Sequence, residues 1–188
     1  MFNIASKPLP FKSDIEKINN PSYRNIAEEL AKGKAKTYVI DDSQYLMAFE
    51  MFDKAKEIGY NKFTDIALNF RNLIHYITTK TPEDTIVYFL HHTETSDTGK
   101  IKAKTIGKML DSQLTLEGLF SIVLLAKTKE GNYRFETQSD GFTTCKSPME
   151  MFDKEIDNDL KAVDTAIRNY YELNKNKEDL KNEENGRI

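Results

Sequence analysis

The pattern of apolar and polar positions along the chain predicts strands that alternate with helices. Residues 36–42 and 84–92 each contain a run of β-branched and aromatic residues without alternation, which is typical of strands buried on both faces. A shorter apolar run at the start of the chain predicts a further strand over residues 2–6. Apolar spacing and helix-forming composition predict four helices, over residues 22–33, 44–60, 61–80 and 158–173.

Particular residues mark where these helices begin and end. We expect Ser22 to cap the first helix, because its hydroxyl can accept a backbone hydrogen bond, and Gly33 to end it. Asn158 is the expected cap of the last helix. Between them, residues 120–141 predict two strands around a turn, a C-terminal β-hairpin.

The order of these elements predicts an α/β fold with a largely parallel sheet and flanking helices. In such sheets, ligands gather beyond the carboxyl ends of the strands. The two central strands end in polar pairs, Asp41 with Asp42 and His91 with His92. Both pairs are therefore expected at the same edge of the sheet, which is the strongest functional inference that the pattern alone allows.

Composition and charge limit the class of protein. The chain is long enough for one domain over residues 1–172, and the charge-rich residues 173–188 are expected to form a disordered tail. A net charge of -3 gives no overall attraction to nucleic acid, so only a local basic patch could bind it. The single cysteine, Cys145, excludes an internal disulfide, and no apolar run approaches the roughly 20 residues of a membrane helix. These features predict a cytoplasmic protein.

The aspartate pair has the arrangement of a Walker B motif, in which apolar residues precede an acid. The first acid of such a motif, here Asp41, holds Mg²⁺, and the second, Asp42, can orient an attacking water. The alternative is that one of the two caps the helix that follows.

The histidine pair has two interpretations as well. His91 or His92 could sense the γ-phosphate of a nucleotide or polarise a water, since histidine donates and accepts protons near neutral pH. The alternative is a structural histidine at a strand end. A zinc site is less attractive, because His75 and Cys145 show no recognisable ligand spacing.

Lysines concentrate just after the second polar pair. Alternation places Lys100, Lys102 and Lys104 on one face of an extended segment, where they could meet phosphates of DNA or of a nucleotide on a neighbouring subunit. The alternative is a solvated strand edge. Lys146 is a further candidate phosphate ligand, and an ordinary surface lysine is its alternative.

Several motifs together resemble one family. In order along residues 2–171 they are KPLPFK, YVIDDSQYLM, AKEIGYNKFTDIALNFRNLI, IKAKTIGKMLDSQLTLEGLF and TTCKSPMEMF. The chain resembles the small RecA-like ATPases of bacteriophages of Gram-positive hosts, the Sak-type recombinase group, also described as phage AAA-family ATP-binding proteins.

The resemblance implies a P-loop NTPase core of RecA type that uses Mg²⁺ and ATP. It implies that Asp41 is the Walker B acid and metal ligand, that Asp42 is its neighbour and that His92 lies in a sensor-like strand end. Lys102 and Lys104 resemble the basic pair that reaches a nucleotide on the adjacent subunit. The implied role is phage DNA recombination or replication in the host cytoplasm, on single-stranded DNA, with single-strand-binding protein and as a homo-oligomer.

One part of the family pattern is absent from the sequence. Among its 8 glycines, none fits the P-loop spacing G-x-x-x-x-G-K-[ST], so one strand–loop–helix unit is missing. That unit supplies the amides and the lysine that hold phosphates. We therefore expect little ATPase activity from the chain alone.

Two further hypotheses follow from this absence. The chain could be a non-catalytic interaction protein that modulates a full-length relative or a host defence factor. Alternatively, the start of the reading frame could be misplaced.

Overall fold

The structure, a computed structural model, describes residues 1–174, apart from the side chains of residues 111 and 112. Most of the predicted tail therefore lies outside the described residues. The centre of the fold is a four-stranded parallel sheet with the strand order β2-β1-β3-β4. Its strands are β1 (Phe2–Asn3), β2 (Ile18–Asn19), β3 (Thr37–Asp41) and β4 (Ile86–Phe89). The predicted α/β class with a parallel sheet is confirmed, although β2 was not predicted.

Four α-helices accompany the sheet, as predicted. They are α1 (Tyr23–Ala31), α2 (Gln44–Asp53), α3 (Asn61–Lys80) and α4 (Leu160–Tyr170). The second helix ends earlier than the prediction of residue 60, because the residues after Asp53 form exposed turns with no apolar face to pack. Among residues 1–174, no helix has both the length and the apolar character that a membrane span requires.

The helix caps were predicted with mixed success. The Oγ atom of Ser22 accepts a hydrogen bond from the backbone N–H of Asn25 at 3.2 Å, and the backbone N–H of Ser22 donates to Oδ1 of Asn25 at 3.1 Å, so the first cap is confirmed. For the last helix, Asn158 was the wrong cap. The carboxylate of Asp159 accepts from the N–H groups of residues 161 and 162, while the backbone of Asn158 bonds to Tyr133 instead.

The core lies between the sheet and the helices. Ile26 and Leu30 of α1 face α3, whose buried face is formed by residues at intervals of three and four. These α3 residues are Ile66, Phe70, Leu73 and Ile74, together with Ala67. The strands contribute fully buried apolar side chains to the same cluster, Phe2 and Ile40 among them.

Antiparallel strands form two smaller sheets between α3 and α4. A small hairpin contains β5 (Thr93–Thr95) and β6 (Ile101–Ala103), and a second sheet contains β7 (Leu125–Lys129), β8 (Asn132–Glu136) and β9 (Glu155–Asp157). The predicted C-terminal hairpin is therefore confirmed, with a two-residue turn at Glu130 and Gly131, both at positive φ. It begins at Leu125 rather than at residue 120. A π-helical turn (Met109–Gln113) and a 3₁₀ helix (Leu116–Leu119) precede it.

One arginine joins α4 to the amino ends of β3 and β4. The guanidinium of Arg168 donates to Asp164 at 2.6 Å, to the carbonyl oxygen of Asp84 at 3.0 Å and to that of Lys36 at 2.9 Å. The side chain is mostly buried, so these charge-assisted hydrogen bonds are shielded from water. They hold α4 at the amino ends of β3 and β4, opposite to the carboxyl ends that carry the aspartate and histidine pairs.

Candidate functional site

The carboxyl edge of the parallel sheet brings the two polar pairs together, as predicted. Ile40 pairs with Phe89, and the N–H of Leu90 donates to the carbonyl of Ile40 at 3.0 Å, so both strands end level. Asp42 then turns the chain in the left-handed conformation, with φ at 57°. The N–H of Ser43 donates to Leu90 at 2.8 Å and holds this turn against the end of β4.

The carboxylate of Asp42 is shared by two cationic or protonatable partners. Its Oδ1 atom lies 3.0 Å from Nε2 of His92, and its Oδ2 atom lies 2.8 Å from Nζ of Lys7. Burial disfavours ionisation of Asp42, but the hydrogen bonds and charges of Lys7 and His92 outweigh it, so the pKa of Asp42 lies below its usual value. The hydrogen bond to Asp42 in turn raises the pKa of Lys7.

Lys7 is a member of the site that sequence reasoning missed. It lies in the loop of residues 4–17 that follows β1, at the same edge of the sheet. Buried Asn3, at the end of β1, donates its side-chain N–H to the carbonyl of Lys7 at 2.8 Å and to Asn19 Oδ1 at 2.9 Å. The available signal was the position of Lys7 directly after an apolar strand, where it is expected at the same edge as the aspartates.

An aromatic side chain packs beside the shared carboxylate. The ring of Tyr45 meets the imidazole of His92 edge-on at 5.4 Å, and Nζ of Lys7 lies 5.5 Å from the centre of the same ring. Contacts of this kind attract a cation to the ring face. Tyr45 therefore helps to hold both partners of Asp42 in place.

Asp41 lies in a different environment from Asp42. Burial, followed by the negative charge of Asp42, raises the pKa of Asp41 above its usual value. No group of three or more histidine, cysteine, aspartate or glutamate side chains in the described part of the chain could hold a metal ion. The role of Asp41 as a ligand of Mg²⁺ stays a prediction.

His91 differs from His92 because it is largely buried and bonds within the fold. Its Nε2 atom lies 2.8 Å from the carbonyl oxygen of Lys104, and its Nδ1 atom lies 2.9 Å from Oγ of Ser43. A carbonyl can only accept, so Nε2 carries the proton of the neutral ring. Nδ1 then accepts from the Ser43 hydroxyl, whose single proton also faces the carbonyl oxygen of Leu90 at 3.0 Å. Burial lowers the pKa of His91, in agreement with the neutral form. These contacts favour the structural interpretation for His91.

Residues 100–104, with β6 at their centre, are here called the lysine strand, and they are attached directly to the carboxyl ends of the parallel strands. The backbone N–H of Lys104 donates to the carbonyl of His92 at 2.9 Å. Lys102 lies on β6, where its Nζ atom is 3.4 Å from Glu94 of β5, whereas Lys100 and Lys104 are exposed. The predicted lysines and the predicted acids therefore belong to one connected region.

Lys146 lies elsewhere in the hydrogen-bond pattern. Its backbone bridges Val123, with N–O distances of 2.8 and 3.0 Å, just before β7. Lys146 takes no part in the hydrogen bonds that join Asp42 to His92 and Lys7. Its role as a phosphate ligand stays a prediction.

No family model matches the chain, and no curated protein or solved structure matches it either.

Proposed function

We propose that the chain is a RecA-like ATPase-family protein of bacteriophage that acts in phage DNA recombination or replication by binding single-stranded DNA. In this proposal it does not hydrolyse ATP by itself. The observation that carries the proposal is the hydrogen-bonded junction of Asp42, His92 and Lys104 at the carboxyl edge of the sheet. This is the edge at which open α/β sheets bind their ligands.

The lysine strand supplies the DNA-binding part of the proposal. Two hydrogen bonds, from Lys104 N–H to His92 and from His91 to the Lys104 carbonyl, hold the strand against the end of β4. Lys100 and Lys104 project into solvent, where they can meet phosphates without a desolvation penalty. Single-strand-binding protein and further copies of the chain are the partners that the proposal implies.

The contacts of the Asp42 carboxylate support the part of the proposal that the chain does not hydrolyse ATP by itself. Both of its carboxylate oxygens are already bound, one to His92 and one to Lys7. The sequence contains no glycine-rich P-loop to hold the phosphates. A nucleotide held through Asp41 and Lys146 alone would bind weakly.

A binding experiment on single-stranded DNA tests this proposal. Fluorescence anisotropy of a labelled oligo-dT is measured over a range of salt concentrations for the wild type and for the double variant Lys100→Ala/Lys104→Ala, which removes the two exposed lysines of the lysine strand. On a single strand each phosphate contact contributes about 0.7 to the salt slope, so the double variant is expected to lower it by about 1.4.

The matched control carries the same change of charge on the C-terminal part of the fold. Lys129→Ala/Lys161→Ala removes two exposed lysines that lie outside the junction. It is expected to bind DNA as the wild type does. Salt-insensitive binding, or equal losses in both double variants, contradicts the proposal.

The second candidate is a non-catalytic interaction protein that modulates a full-length relative or a host factor. The observation that favours it is again the occupied carboxylate of Asp42, which suits a protein whose nucleotide site has lost its catalytic use. It predicts a stable complex with the full-length relative and no affinity for oligo-dT. Size-exclusion chromatography of a mixture, together with the anisotropy experiment, distinguishes the two candidates.

A further inference from the structure

β4 is an outermost strand of the parallel sheet, and its unpaired lateral side borders a large cavity. The cavity measures about 1120 Å³ and lies between residues 85–93, which contain β4, and residues 120–126. Small-molecule pockets typically measure about 300–1,000 Å³, so this cavity is larger than most of them. Residues of α4 and of the segment 143–145 line it as well.

The edge of β4 that faces the cavity has unpaired backbone groups. The N–H of Ile86 donates to Lys36, the residue before β3, at 2.9 Å, and the N–H of Leu90 donates to Ile40 of β3 at 3.0 Å. Because N–H and C=O groups alternate in direction along a strand, those of Val87 and Phe89 point away from β3 and into the cavity. No described residue bonds to them. The cavity therefore presents the donors and acceptors of an incomplete sheet.

Both faces of β4 are nevertheless covered. The side chains of Val87 and Phe89 pack into the cluster that contains Phe70 of α3, and those of Ile86 and Tyr88 pack into the cluster of α4. Phe70 of α3 and Val163 of α4 also line the cavity, so a strand added beside β4 would meet apolar side chains of both helices. Strands covered on both faces have continuous apolar sequences rather than alternating ones.

The opposite wall of the cavity is a second extended apolar segment. Residues 121–124 have the sequence Ser-Ile-Val-Leu, and only the bridge between Val123 and Lys146 places them in a ladder. They lead directly into β7. The cavity therefore separates two backbone segments with strand-like sequences that do not pair with each other.

We propose that this cavity is a receptor slot for an extended strand of another polypeptide. The strand lies beside β4, parallel to it, and contributes a run of about five apolar residues to match the length of β4 and its flanks. Glu83 lines the amino-terminal end of the slot, so a lysine or arginine before the apolar run is the complementary charge. The inference rests on the open edge and the cavity, and it is independent of the proposed function.

A synthetic peptide tests the slot directly. The probe has about nine residues, with two lysines before a run of valine and isoleucine and two serines after it. Cys145, the one cysteine of the chain, is buried in the wall of the cavity and reports on its occupancy. We expect saturable binding of the labelled peptide, together with a slower reaction of the Cys145 thiol with a thiol reagent.

Two matched controls separate strand pairing from general apolar binding. The first is the same peptide with N-methyl groups on alternate backbone nitrogens, which removes the donors of one edge. The second is Val87→Pro, which removes the N–H that points into the cavity and leaves the ladder with β3 intact, as proline is tolerated on edge strands. Each change is expected to weaken binding about tenfold or more, since it removes a hydrogen bond and obstructs the ladder.

A third control tests the orientation of the strand. Glutamates in place of the two lysines are expected to weaken binding, because they would lie next to Glu83. The proposal is overturned if no saturable binding is observed. It is also overturned if the N-methylated peptide binds as tightly as the parent, a result that does not depend on the folding of any variant.

Discussion

His92 and Asp42, which are 50 residues apart in the sequence, lie in hydrogen-bond contact across the carboxyl edge of the sheet, with Nε2 and Oδ1 separated by 3.0 Å. The other oxygen of the same carboxylate binds Lys7. One carboxylate therefore joins the ends of β3 and β4 to the loop after β1. The first four substitutions below concern this group of residues and the histidine beside it, His91.

Asp42→Asn is expected to lower the melting temperature slightly at neutral pH, through loss of the solvent-exposed ion pair with Lys7 and of the charged acceptor for His92. Asparagine tolerates the left-handed backbone of this position, so the change tests the charge alone. Because the pKa of Asp42 is lowered by folding, its contribution is complete above about pH 4 and is lost as the pH falls through the folded pKa. Thermal unfolding at pH 7 and near pH 3 measures both effects.

Asp41→Asn is the matched control with the opposite expectation. Folding raises the pKa of Asp41, so its charge is unfavourable in the folded state at pH 7, and its removal is expected to leave stability unchanged or higher. The same variant is expected to change the binding of Mg·ATP little, because the sequence contains no P-loop. Equal destabilisation by the two substitutions would show that the carboxylates are not in different environments.

Lys7→Met is expected to loosen the loop of residues 4–17 by releasing it from Asp42. Phe11 is an exposed side chain of this loop, so cleavage by chymotrypsin after Phe11 should become faster, while cleavage after exposed Tyr133 should not change. Lys17→Met, an exposed lysine of the same loop, is the control and is expected to behave as the wild type. A Lys7 variant that is cleaved at the rate of this control would argue against the ion pair as the anchor of the loop.

His91→Phe is expected to cost about 1–3 kcal/mol at pH 8, because it leaves the carbonyl of Lys104 without its donor. Burial lowers the pKa of wild-type His91. The hydrogen bond to Lys104 and the charge of Glu117 raise this pKa, and the charge of His92 lowers it, but burial is the largest of the four effects. The contribution of His91 is therefore complete above about pH 6.5 and is lost as the pH falls further.

The variant is expected to lose this pH dependence, which thermal melts between about pH 5 and pH 8 would show. His75→Gln, at an exposed position of α3, serves as the control and should keep the wild-type profile. An unchanged profile in His91→Phe would assign the pH dependence to another group.

Arg168→Lys is expected to destabilise the fold by about 2–3 kcal/mol, although it keeps the charge. A single ammonium cannot reproduce the fork of donors that reaches Asp164 and two backbone carbonyls. Arg71→Lys on the exposed surface of α3 is the control, with an expected change of less than about 0.5 kcal/mol. Urea unfolding of both variants measures the difference, and similar midpoints would show that the guanidinium contacts do not anchor α4.

The sequence predicted the parts of this fold that local pattern determines. The buried strand before Asp41, the Ser22 cap and the apolar face of α3 each depend on residues close together in the chain. The meeting of Asp42 with His92 followed from the rule that the carboxyl ends of parallel strands share one edge.

The remaining features depend on contacts that local pattern does not encode. The two-residue strand β2 exists only because β1 pairs with it, and β9 pairs with β8 across an irregular segment. Lys7 joins the site through a loop whose path the sequence alone does not define. The cap of α4 was misassigned by one residue because Asn158 and Asp159 are both good caps, and the β8–β9 ladder decides between them.

The most direct test of the proposed function is the affinity of the protein for single-stranded DNA, measured by anisotropy with and without Mg·ATP. We predict salt-dependent binding that is the same in both conditions and is unchanged by Asp41→Asn, because in the proposed function the lysine strand binds DNA without a nucleotide. Absence of binding, or binding that requires Mg·ATP and is lost in Asp41→Asn, would contradict the account.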